Sequence, residues 1–205
     1  MDVAALIVEE LEEELRNWIL KSHNLRALYE ALPQLYQKLT SQNINGVIEE
    51  GASIVGSVHV GANSVIQAGS AIVGPVIIAE NVVVGTGVEL REYTYIGSGT
   101  HISHGATIER SLVLNSSILG AGIYISNAII GANVQLGPHA IIGAEVISRQ
   151  IEYTLATFTA VGAKARIGAA VVIERGVAVA DRASVDNGVV LSTDVPPAGF
   201  IGRAR

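Results

Sequence analysis

From Ile48 onward an aliphatic residue returns at every sixth position: Ile48, Ile54, Val60, Ile66, Ile72, Ile78, Val84, Leu90, Ile96, Ile102 and Ile108. After a five-residue step the series resumes at Val113, Leu119 and Ile125, and after another at Ile130, Leu136 and Ile142. A break follows, and Val161, Ile167, Ile173, Val179, Val185 and Leu191 bring the total to 23 anchors, each Ile, Val or Leu. A second lattice of small or β-branched residues lies four positions after the anchors, as at Ala52, Val58, Ser64, Ser70, Val76 and Thr94. Gly or Asn recurs three positions after them. A period of six is neither the 3.6 of a helix nor simple strand alternation. It predicts a short strand and a tight turn, three times per coil, closing a triangular prism with the anchors inside. The turns need residues that tolerate positive φ, which accounts for the Gly and Asn. Coils of 18 residues stack about 4.8 Å apart, so the expected fold is an all-β solenoid, a parallel β-helix of about 7–8 coils.

Three segments depart from the period. Residues 4–40 carry 3-4 spacing at Val8, Leu11, Leu15 and Trp18, and again at Leu25, Leu28, Leu32, Leu35 and Leu39, which predicts two helices. A solenoid has an open first coil, so residues 1–43 are expected to form an N-terminal helical cap or arm, and residues 44–205 the β-helix. The stretch 147–160 breaks the phase and is expected to leave the prism as an extruded loop carrying Arg149 and Tyr153. Loops on a rigid scaffold are where binding groups concentrate. From Asp194 the run Asp194-Val195-Pro196-Pro197 is expected to end the repeat, because proline cannot donate to a β ladder.

Composition narrows the function classes. Only 4% of the 205 residues are aromatic and 49% are hydrophobic, as a narrow aliphatic column requires. A net charge of −6 argues against general nucleic-acid or anionic-lipid binding. No apolar run is long enough to predict a membrane helix. With no cysteine there is no disulfide framework, thiolate nucleophile or zinc–thiolate site. Met1-Asp2-Val3 lacks a basic signal-peptide start, so a cytoplasmic protein is expected. Two of the five histidines, His104 and His139, fall two coils apart on one prism face. They lack the spacing for a three-histidine metal centre, and no metal is expected.

The run Gly74-Pro75-Val76-Ile77-Ile78-Ala79-Glu80-Asn81-Val82, the segment Val88-Glu89-Leu90-Arg91 and the Asp194-Val195-Pro196-Pro197 tail resemble the hexapeptide-repeat acyltransferase superfamily. Within it they are similar to the C-terminal domain of bifunctional sugar-1-phosphate nucleotidylyltransferase/glucosamine-1-phosphate N-acetyltransferases. The resemblance implies a left-handed β-helix, a homotrimer, and acetyl-CoA as co-substrate bound between neighbours, with a sugar or sugar-phosphate acceptor. Nucleotidylyltransferase activity is not expected, since the glycine-rich nucleotide loop of that family is not seen. Arg91 matches the family's phosphate-binding arginine, while the partner lysine, 18 residues on, is replaced by Glu109. One coil apart, Arg91 and Glu109 would form an ion pair; Arg110 is the alternative phosphate ligand. The stretch Leu114–Tyr124, where the family keeps its catalytic histidine, has none, which leaves His139 as the candidate general base. Ala144 stands at the acceptor-binding asparagine, and Ala163 and Asp186 stand at cofactor-contact positions. Two readings follow: an acyltransferase with a relocated base, in which Arg91, Arg110, Arg149 and Tyr153 bind the acceptor, or a non-catalytic trimeric scaffold with a degenerate site.

Overall fold

The computed structural model describes Tyr36 and residues 42–144 and 158–202. Strands of two to four residues form three parallel sheets of eight, nine and eight strands, with every third strand in the same sheet. Sheet A runs from Asn43–Ile44 through Val58–Val60, Val76–Ile78 and Thr94–Ile96 to Ala178–Val179. Sheet B runs from Val47–Ile48 to Phe200–Ile201, and sheet C from Ser53–Val55 to Val190–Leu191. The molecule is therefore a three-sided parallel β-helix of about eight coils, as the hexads predict. Strands this short have no independent stability. Each persists because its backbone groups bond to the coils on either side.

The register follows the anchors. Ile78 pairs with Val60 and Ile96, and Leu90 with Ile72 and Ile108. All 23 anchors are buried except Ile48 and Ile54, which belong to the open first coil and are partly buried. The second lattice is buried too, except Ala52 in the open first coil, and its hydroxyls bind the coils together. Ser64 Oγ donates to the Ala79 carbonyl at 2.7 Å and accepts from the Val82 amide at 2.9 Å. Ser70 repeats this with Gly85 and Val88. A buried hydroxyl that both donates and accepts meets the demand that interior polar groups be satisfied.

The corners carry the backbone strain. At the A/B corner positive φ recurs at Asn63, Asn81, Gly99, Ser116, Asn133, Lys164, Arg182 and Ala198. At the B/C corner it recurs at Gly51, Gly69, Gly87, Gly105, Gly122, His139, Ala170 and Gly188. The C/A corner is where the period slips. Two residues turn that corner at Glu92 and Tyr93, but Arg110 and Asn127 turn it alone, which produces the two five-residue steps. The long interruption leaves from this same corner, between Ala144 and Phe158.

Two boundaries differ from the sequence reading. The coil resumes at Thr159, in the strand Thr159–Val161, so Thr159 and Ala160 belong to sheet A rather than to the loop. The tail does not leave the prism at Asp194. Val195 bridges to Val179, and Phe200–Ile201 pairs with Ser184–Val185 to extend sheet B. Pro196 and Pro197 fit because they sit at the A/B corner, outside any strand. Of the expected helical region only Tyr36 is described. Its buried ring meets Tyr93 edge-on at 5.6 Å, against the side of the prism rather than over the first coil. On the same side, the outward residues Ile77, Tyr95, Leu112 and Ile129 of sheet A are buried outside the interior column. The middle of sheet A is thus apolar on both faces, as parallel strands buried on both sides tend to be, while His59 is a buried polar member of the same outer row.

Replacing Ile78, which is fully buried in the column, with Ala should cost about 2–5 kcal/mol. Replacing Glu50, exposed in a turn of the first coil, with Ala should stay within about 0.5 kcal/mol. Urea unfolding followed by circular dichroism measures both.

Candidate functional site

Sheet C presents Arg91, Glu109 and Ser126 as one outward column, because Glu109 is in register with both. Glu109 is buried and collects four donors. Arg91 Nε donates to Oε2 at 3.0 Å, and Arg110 Nη2, the Tyr124 hydroxyl and Ser126 Oγ donate to Oε1 at 2.7, 2.8 and 3.1 Å. Arg91 also pairs with Glu89 at 3.0 Å, and Arg110 with Glu92. Asn127 closes the mesh by donating to Ser126 Oγ at 2.8 Å. Burial pushes the Glu109 carboxyl up, but the Tyr124 hydroxyl, Arg110, Ser126 and Arg91 together bring it below its ordinary value. Three carboxylates against two guanidiniums leave the mesh net negative. Both arginines are ion-paired in this structure, Arg91 with Glu89 and Glu109 and Arg110 with Glu92 and Glu109. Sequence spacing gave the Arg91–Glu109 contact. Tyr124 and Ser126 were missed, although each stands 17 residues after a sheet C neighbour, Thr107 and Glu109 respectively, once the shortened corner is counted.

His139 lies at the B/C corner, exposed, with φ 58°. Its ring lies across Gly122 one coil below; a Cβ there would meet Nδ1 at 2.6 Å. His104 sits one coil further down the same corner, where its carbonyl accepts from the Gly122 amide. Among the described residues no group of three metal-ligating side chains assembles. His139 and the roots of the interruption are near in sequence but lie on different edges of the prism, separated by the strand Ile141–Ala144, about 13 Å long. Arg149 and Tyr153 lie outside the described residues.

A shallow cleft of about 480 Å³ opens on the outer face of sheet B, with Ile118, Gln135, Arg166, Ser184, Asp186 and Asn187 in its wall. Ile118, Gln135, Arg166 and Ser184 form one outward row in register across four coils. Gly137 lines the cleft, and His139, two residues further along the chain, lies beyond that lining at the B/C corner. Asp186 is exposed on the B/C corner, and its amide donates to the Ile201 carbonyl. Ala163 is on the A/B corner, where its amide donates to Asp181 Oδ1 at 2.8 Å. The sequence-derived residues thus divide into Arg91 with Arg110 at one edge, His139 with Asp186 at a second, and Ala163 at the third.

The three sheets in hexad register, with the anchors inside, make the chain a hexapeptide-repeat β-helix, and it is similar to proteins of that fold. The profile of the GMPPB C-terminal domain family matches residues 72–157, the stretch that holds the Glu109 mesh and His139. The Bifunctional protein GlmU of Cereibacter sphaeroides is 28% identical over 139 residues, 58% of this chain. The chain spans 30% of that relative's length. Two solved structures overlap more broadly and more loosely. One is the UDP-N-acetylglucosamine acyltransferase from Campylobacter jejuni, 18% identical, covering 77% of this chain and 70% of that one, with a TM-score of 0.39. The other is a variant of GDP-perosamine N-acetyl transferase from Caulobacter crescentus in complex with CoA and GDP-perosamine, 18% identical over 87% and 61%, with a TM-score of 0.31.

Because the folded Glu109 carboxyl titrates below its unfolded value, its contribution to stability is complete above the ordinary carboxylate range. That contribution is lost as pH falls through the lower folded value. Glu109→Gln should flatten this acid limb, read as melting temperature between about pH 3 and 6.

Proposed function

We propose that this β-helix is an acyltransferase that moves an acyl group from acetyl-CoA to the amine or hydroxyl of a sugar-like acceptor. The supporting observation is His139, an exposed imidazole whose ring lies across Gly122 at the B/C corner, two residues beyond Gly137 of the sheet B cleft. In this reading His139 removes the proton from the acceptor nitrogen or oxygen as that atom attacks the thioester carbonyl. The C–S bond breaks, and the departing thiolate takes up a proton as CoA thiol. An imidazole is the side chain most often used to take a proton in such a step. Asp186, on the same edge, would face the donor, and Arg149 and Tyr153 would act on the acceptor from the interrupting segment.

The roots of that segment and His139 occupy different edges, so a complete site needs more than one chain. Exposed aliphatics are available for such an assembly: Val55, Val73, Ile141 and Val190 on sheet C, and Val47 and Ile118 on sheet B. A homotrimer that buries them is the arrangement we infer. A competing reading, a trimeric scaffold without chemistry, is favoured by one observation: the arginines at the family's phosphate position are consumed by Glu89, Glu92 and Glu109.

Light scattering should give three times the mass of the chain. Titration calorimetry should detect acetyl-CoA, and a thiol-release assay over a panel of amino sugars should find turnover. His139→Ala should lower kcat about 100- to 10,000-fold while leaving acetyl-CoA affinity in place. No heat with acetyl-CoA and no thiol release would leave the scaffold reading.

A further inference from the structure

Six cationic residues are described in the β-helix, and they are unevenly used. Arg91 and Arg110 are locked into the Glu109 mesh, and Arg175 has an interaction of its own. Among the described residues, Lys164, Arg166 and Arg182 form no ion pair and no side-chain hydrogen bond. All three lie in two neighbouring coils. The Arg182 amide donates to the Ala163 carbonyl, which stacks the Arg182 corner directly on that of Lys164, about 4.8 Å away. Arg166 follows Lys164 by two residues and points out of sheet B between Gln135 and Ser184, into the wall of the cleft. The adjoining carboxylate, Asp181, has Oδ1 engaged by the Ala163 amide. With Asp186 in the same cleft wall as Arg166, the region keeps a charge of +1 on a chain whose total is −6.

A second observation is independent of charge. Lys164 and Arg182 occupy the A/B corner column in which every residue has positive φ, at 61° and 59°. Elsewhere the column holds Asn63, Asn81, Gly99, Ser116, Asn133 and Ala198, short residues with no formal charge. Asn is the side chain that tolerates this conformation best after Gly, and long cationic side chains are uncommon there. The fold gains nothing from Lys or Arg at these corners. Nothing in the fold among the described residues accounts for their presence in consecutive coils.

We propose that Lys164, Arg182 and Arg166 bind a phosphate-bearing ligand along the A/B edge, with the rest of that ligand lying in the sheet B cleft toward His139. Phosphate recognition then sits on a different prism edge from Arg91, where the arginines have been neutralised. Three cations over two coils suit two linked or neighbouring phosphates better than one. The inference deepens the acyltransferase reading by locating the phosphates of its ligand, and it can fail separately from it.

Calorimetry on the full chain with inorganic pyrophosphate, adenosine 3′,5′-bisphosphate and UDP supplies the test. Binding of at least one probe, weakened by salt, is expected. A preference for the adenosine bisphosphate identifies an acyl-carrier nucleotide as the source of the phosphates, and a preference for UDP identifies a sugar nucleotide. The double variant Lys164→Asn, Arg182→Asn should weaken the preferred probe roughly tenfold or more. Because Asn suits the corner, the variant should also melt no lower than the parent, which separates loss of a site from loss of fold. Unchanged affinity in the double variant, or no binding of any probe by the parent, overturns the proposal. Acyl turnover that survives the double substitution undiminished would sink this inference and leave His139 standing. Phosphate binding without any turnover would do the reverse.

Discussion

Every strand in this molecule depends on the coil above and the coil below. A two- or three-residue strand has no hairpin partner and no long edge, and its amides and carbonyls are satisfied only by the same position one coil away. That constraint fixes the interior, because stacked coils leave a column filled by one branched anchor per face per layer with a small or β-branched residue beside it. It also fixes the exterior. A side chain on the surface has as its neighbours the residues one coil before and one coil after, so chemistry on this fold is arranged in columns.

The columns explain what was legible in the sequence. The hexads fix the anchors because a missed anchor would open a void in a column with no other filling. The same arithmetic places Glu109 on Arg91, since 18 residues return the chain to the same point on sheet C. It is less direct after a slip. Arg110 and Asn127 each turn a corner alone, so Tyr124 meets Thr107, and Ser126 meets Glu109, at a step of 17. Reading those partners requires knowing at which corner the residue was lost, which the period alone does not reveal. The tail was misjudged for a related reason. Two prolines look like a stop if they fall in a strand, yet they are compatible with the ladder at a corner, and Val195 and Phe200 rejoin it on either side.

The sheet B cleft was hidden for a different reason. It is a property of outward-facing residues, which obey no hydrophobic period. Ile118, Gln135, Arg166 and Ser184 share a row but no chemical type. The burial of Ile77, Tyr95, Leu112 and Ile129 is of the same kind. The pattern assigns them to the outside of sheet A, correctly, and says nothing about their being covered.

The charged groups on the three edges serve different ends. At the C/A corner Glu109 is engaged by two arginines, a tyrosine and a serine in a satisfied network. Such a mesh holds two slipped coils together beside the point where the chain leaves the prism, so this corner serves the fold. Cations serving only solubility would spread over the surface, where each is least repelled. Instead, Lys164, Arg166 and Arg182 crowd into two coils against their mutual repulsion, two of them in a backbone conformation their side chains disfavour. Two unfavourable terms at one edge, with no compensating contact among the described residues, are more easily understood if a ligand supplies the missing anion.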